Sequence, residues 1–101
     1  MQFLLVAYDG TDDQAIERRL RARAKHVALG DEMVASGQML YGTAILDDHG
    51  KMIGSMVVLD FPAREDLDAW LAVEPYMVGD VWKKVEVRPC RVGPSFTGLH
   101  H

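Results

Sequence analysis

Phe3-Leu4-Leu5-Val6-Ala7-Tyr8 and Met56-Val57-Val58-Leu59 are the two stretches that decide the fold, because each is apolar on every successive residue. Side chains alternate across a β-strand, so runs of this kind load both faces of a sheet with apolar groups and belong at its centre. Working outward, Gln2 to Tyr8 reads as a first strand closed by the turn signal Asp9-Gly10. Thr11, Asp12 and Asp13 then offer an N-cap and first-turn acids. Ile16, Leu20, Ala24, Val27 and Val34 follow at helical spacing until Gly37 supplies a stop. Gln38 to Leu46 and Lys51 to Phe61 are rich in β-branched and apolar residues, and the polar loop Asp47-Asp48-His49-Gly50 between them suits a hairpin. Pro62 opens a second, shorter helix whose stripe is Leu67, Trp70 and Leu71, and Glu74-Pro75-Tyr76 breaks it. In the last strand, Trp82 to Val92, Val85 and Val87 alternate with Lys84, Glu86 and Arg88, and Pro89 marks it as an edge.

The order strand, helix, strand, strand, helix, strand fits an α+β, ferredoxin-like βαββαβ arrangement with an antiparallel sheet in the order 4-1-3-2. Two helices cover one face of such a sheet. The other face of the two central strands is apolar as well, and a second copy stacked face to face covers it most economically, which predicts a homodimer. Residues 1–92 form the domain, and the tail 93–101 is expected to be irregular; its closing His100-His101 pair reads equally as native or as the stub of a purification tag.

A chain of 101 residues, 49% apolar and 26% charged, has the size and composition of one folded domain. Its net charge of −4 provides no positive field for a nucleic-acid backbone. Cys90 is the only cysteine, so no internal disulfide forms. The start lacks a basic segment and a long apolar run, and no stretch approaches the ~20 apolar residues of a membrane span. A soluble, cytoplasmic protein is expected, with neither nucleic acid nor membrane as partner.

The candidate chemistry begins on the long helix. At about 100° per residue, His26 falls about 80° from the centre of the apolar stripe, at the boundary of the core. Arg19 and Arg23, at i−7 and i−3, share that edge, so two cations and one titratable ring point in similar directions and suit an anion. A half-buried histidine is suited to acid/base work if a carboxylate orients it. Glu74, before Pro75 at a rigid corner, can present such a carboxylate, with Tyr76 beside it. On spacing alone, a helical histidine such as His26 is more often a surface or satisfied core residue, and Glu74 a helix terminator with a solvated acid. Asp9, Asp31 and Asp80 are weaker partners for His26. Cys90 reads as a structural thiol, and no zinc-like spacing, GxGxxG or phosphate loop implies a metal or cofactor.

Arg23-Ala24-Lys25-His26, Gly37-Gln38-Met39-Leu40, Glu74-Pro75-Tyr76 and Val85-Glu86-Val87-Arg88-Pro89, in that order, resemble the small YCII-like proteins. The resemblance covers about residues 2–92. It implies the dimeric α/β-barrel assembly and an active site built on a His and an acid, which carry over to His26 and Glu74, with Arg23 as the Arg of the Arg-x-x-His motif. The family's Asp before Pro is Glu74 here, one methylene longer. The resemblance further implies kinship with muconolactone isomerase and small antibiotic-biosynthesis monooxygenases, folds that host many functions. It also points to dehydrochlorinase or lyase chemistry on hydroxylated rings. The leading expectation is therefore a cofactor-free enzyme of lyase, dehydrochlorinase or isomerase type acting on a small anionic cyclic or aromatic metabolite. In it His26 is acid or base, Glu74 its partner, and Arg23, Arg19 and Tyr76 bind substrate. The alternative is a non-enzymatic dimeric ligand-binding or interaction module of the same fold.

Overall fold

A computed structural model describes the backbone of residues 1–100 and the side chains through residue 97. The elements run β1 (Gln2–Asp9), α1 (Ala15–Ser36), β2 (Met39–Leu46), β3 (Met52–Asp60), α2 (Arg64–Val73), α3 (Pro75–Val78) and β4 (Trp82–Cys90). They form one antiparallel sheet in the order β2-β3-β1-β4, the expected 4-1-3-2 read from the other side. The tail departs from expectation. Pro94–His100 winds into a 3₁₀ helix that opens on Pro94, with Phe96 N–H donating to Gly93 O at 2.9 Å across its first turn. His101 lies outside the described residues.

The pairing register sorts the central strands by parity. Phe3, Leu5 and Ala7 oppose Leu59, Val57 and Ser55, and all six are buried beneath the helices. Leu4 and Val6 oppose Val58 and Met56 on the other face, where all four are half-buried. The helix-side core is completed by Met33 of α1, Leu67 and Trp70 of α2, Tyr76 of α3, and Val81 and Trp82. One close approach fixes the β1–β3 contact: a Cβ on Gly54 would lie 2.4 Å from Ala7 O, so only glycine lets the strands meet there.

The long helix corrects the sequence reading in two respects. It begins at Ala15, behind Gln14, past the expected Thr11, Asp12 and Asp13; the Asp12 carboxylate accepts from Gln14 N–H at 3.3 Å and from both Arg18 terminal nitrogens, at 2.7 and 2.8 Å. The stripe that faces the core is also a different one. Ala15, Arg19 and Met33 are buried, with Ala22, His26 and Leu29 half-buried between them. Leu20, Val27 and Val34 are exposed, at 55%, 42% and 61%. Asp9 ends β1 on the helix side and pairs there with the buried Arg19, while the Leu20–Val34 line lies on the flank. Gly37, at φ 82°, ends the helix in the left-handed conformation, with Gln38 N–H donating to Met33 O at 2.9 Å.

Candidate active site

Glu74 occupies the corner between α2 and α3. Its N–H donates to Trp70 O at 3.0 Å, ending α2, and its Oε1 accepts from Tyr76 N at 3.0 Å, capping α3, whose first residue is Pro75. The same Oε1 is hydrogen-bonded to His26 Nδ1. Glu74 is 1% exposed, so the rigid corner holds its carboxylate inside the protein with two donors pointed at it. An ionised carboxylate only accepts, so Nδ1 carries the hydrogen, and the neutral ring keeps its lone pair on Nε2. Tyr76 stacks on the imidazole at 3.8 Å and 11°, and Trp82 meets it edge-on at 6.0 Å. Orientation and plane of the ring are thus fixed by three groups from two separate segments.

Beneath this layer lies a second one. Arg19 NH1 donates to both oxygens of Asp9, at 3.0 and 3.1 Å, and NH2 donates to Ser55 Oγ at 3.0 Å. Trp82 Nε1 donates to the same Oγ at 3.2 Å. The guanidinium carbon sits 4.8 Å from the Tyr76 ring centre, on an aromatic face that attracts a cation. Burial raises the Asp9 pKa and the Arg19 charge opposes it. Burial likewise raises Tyr76, against Arg19 and Arg23, which keeps the phenol neutral.

The cleft above these residues lies between α1 and the β2 side of the sheet and has a volume of about 390 Å³. Arg23, His26, Tyr76, Arg19 and Ser55 line its polar side, and Val27, Val34, Met39 and Val57 contribute to its apolar side. The structure therefore brings four of the five sequence candidates, His26, Arg23, Arg19 and Tyr76, to one cavity, while the buried Glu74 reaches it only through its bond to His26. It spends two of the three Arg19 nitrogens on Asp9 and Ser55, leaving the exposed Arg23 as the cation at the mouth. Of the weaker carboxylates, Asp80 pairs with Lys83 at 2.6 Å and Asp31 stands at the cleft rim; neither reaches His26. Among the described residues no group of three or more His, Cys, Asp and Glu gathers as a metal would require. Cys90 is half-buried and unpaired, its pKa raised by burial, which suppresses the thiolate.

Sequence reasoning missed Asp9 as the partner of Arg19, and missed Ser55 and Trp82 altogether. The signal for two of them is parity: Asp9 continues the buried series Phe3, Leu5, Ala7, and Ser55 continues Leu59, Val57. A polar residue on the buried parity of a central strand needs a polar partner from the helix above it.

The model of the YCII-related domain matches residues 1–91. The chain belongs to the YCII family. Among its relatives, protein YciI of Escherichia coli is 30% identical over 95 residues, which cover 88% of this chain and 95% of that one, and protein YciI of Shigella flexneri matches to the same extent. A solved structure of 5-chloro-2-hydroxyhydroquinone dehydrochlorinase from Burkholderia phenoliruptrix, in complex with 2,5-dihydroxybenzoquinone, superposes with a TM-score of 0.80 at 18% identity, covering 94% of this chain and 98% of that one. A dimeric ferredoxin-like protein of unknown function from Jannaschia gives a TM-score of 0.56 at 13% identity, covering 90% and 98%. These likenesses agree with the α+β ferredoxin-like fold of this chain. No helix among the described residues is long and apolar enough to cross a membrane.

Proposed function

We propose that this YCII-family chain is a cofactor-independent enzyme in which His26 and Glu74 perform acid/base chemistry on a small anionic cyclic or aromatic metabolite. The observation that carries this reading is the buried Glu74 carboxylate on His26 Nδ1, in a ring clamped by Tyr76 and set in the wall of the cleft. That arrangement presents a basic Nε2 to a bound molecule, and the buried carboxylate stabilises the imidazolium formed when Nε2 takes a proton. Arg23 at the mouth supplies charge for an anion, and the apolar wall receives a ring. The longer Glu74, a departure from the Asp that the family resemblance implies, still reaches the imidazole because its corner also caps α3. The likeness in fold to a dehydrochlorinase bound to a dihydroxybenzoquinone supports elimination, with isomerisation as the related outcome. The reading includes a cytoplasmic homodimer whose protomers meet through Leu4, Val6, Met56 and Val58.

The test is a screen of chlorinated hydroquinones and small hydroxylated ring acids for chloride release or isomerisation. Turnover that falls by about 10²- to 10⁴-fold in His26→Ala, with the fold intact by circular dichroism, supports the acid/base role. Turnover untouched by His26→Ala removes the ring from the mechanism, and tight binding with no turnover of any compound favours the ligand-binding module.

A further inference from the structure

Ser55 Oγ accepts two hydrogen bonds from groups that only donate, Arg19 NH2 and Trp82 Nε1. Both acceptor positions of the hydroxyl are therefore filled, and its own hydrogen is the one member of the group left to place. No acceptor for it stands among the described residues. Arg19 has the matching deficit. Its side chain is 4% exposed, and its buried Nε–H has no partner. Asp9, the carboxylate that answers Arg19, is occupied by NH1 through both oxygens. Ser55 and Arg19 both line the cleft that His26 lines. A buried donor without an acceptor is costly, and two beside one cavity mark a place built for an oxygen that the protein does not supply.

We infer that Ser55 O–H and Arg19 Nε–H form a donor corner in the cleft that holds a substrate oxygen bearing negative charge, a phenolate or an enolate. The inference rests on the acid/base reading of His26 and deepens it. When Nε2 takes a proton from a carbon next to a ring carbonyl, the C–H bond breaks. The electron pair moves into the ring, and the carbonyl oxygen becomes the enolate oxygen that the corner receives. For a phenol the O–H proton goes to Nε2 and the phenolate oxygen is the one held. The hydroxyl is a stronger donor than an ordinary serine because a guanidinium and an indole N–H both draw on its oxygen. Its placement on β3, anchored by two side chains, means it does not reorganise as charge develops. Ser55 thereby becomes a substrate-touching residue, and Arg19 serves through Nε alone.

The probe is 4-nitrophenolate, with neutral 4-nitroanisole as the control of like shape, each titrated into the wild-type chain and Ser55→Ala. Loss of one hydrogen bond to a charged oxygen predicts binding of the phenolate about ten- to a hundredfold weaker in Ser55→Ala, with the anisole unchanged. Equal binding of the phenolate by both proteins, equal loss for both ligands, or no phenolate binding by the wild type overturns the inference. If Ser55→Ala does not fold, the wild-type protein decides: saturating 4-nitrophenolate moves the ¹⁵N-edited resonances of Arg19 Nε–H and Trp82 Nε1–H, and unmoved resonances refute the corner. Failure of the acid/base reading is distinguishable, because it leaves the Ser55 dependence of phenolate binding intact while Glu74→Ala leaves the His26 tautomer unaltered.

Discussion

Replacing Asp9 by alanine removes both acceptors of Arg19 NH1 and leaves a guanidinium whose side chain is 4% exposed without a counter-charge. Breaking one partner of a buried pair costs about 3–5 kcal/mol, since the surviving charge stays desolvated. Arg19 keeps Ser55 and the Tyr76 face, which places Asp9→Ala toward the lower end, about 3 kcal/mol. The pair is nevertheless not a large net source of stability. The Asp9 pKa is raised, so burial of the carboxylate outweighs its attraction to Arg19. The double variant Asp9→Ala/Arg19→Met, which removes both charges and keeps most of the Arg19 volume, is therefore expected within about 1 kcal/mol of wild type. Urea unfolding of the four proteins, followed by circular dichroism, closes the cycle. A single Asp9→Ala variant that loses less than about 1 kcal/mol, or a double variant as unstable as the singles, refutes the assignment of a buried, mutually dependent pair.

Leu67→Ala empties a fully buried site between α2 and the sheet and is expected to cost about 2–5 kcal/mol in the same unfolding assay, against near-neutral Leu20→Ala on the exposed flank. Asp12, bonded by Arg18, has its pKa lowered well below the ordinary 3.8, so the folded state binds fewer protons than the unfolded one as pH falls through that range. Its contribution is fully present above the ordinary value and disappears toward strong acid, so the stability gap between wild type and Asp12→Asn is expected to narrow below about pH 4. A gap that widens on acidification contradicts the pairing. Val6→Asp puts a charge at the centre of the open sheet face and is expected to convert the proposed homodimer to monomer by light scattering. An unchanged mass places the interface elsewhere.

The two-faced apolar runs made the sheet legible: Phe3 to Tyr8 and Met56 to Leu59 are central strands, and Pro89 sits on an edge. His26 and Glu74 were legible as a pair because the family motif tied them together across 48 residues, which no helical spacing does. The face of α1 was not legible from hydrophobicity. Leu20, Val27 and Val34 outweigh Ala15, Ala22 and His26 on any apolar scale, yet the buried side of the helix carries Arg19, whose partner Asp9 lies ten residues away in the preceding strand. Ser55 was silent for a related reason. A single hydroxyl in an apolar strand acquires meaning only once Arg19 and Trp82 are seen to converge on it.

The most direct test of the account is the tautomer of His26, read from the ¹⁵N shifts and two-bond couplings of its ring in the wild-type chain at a pH where the imidazole is neutral. The Glu74 contact predicts one Nδ1–H tautomer with Nε2 bearing the lone pair, and a ring released to exchange its hydrogen between both nitrogens in Glu74→Ala. An Nε2–H ring in the wild type, or spectra identical in the two proteins, contradicts the dyad on which the proposed chemistry depends.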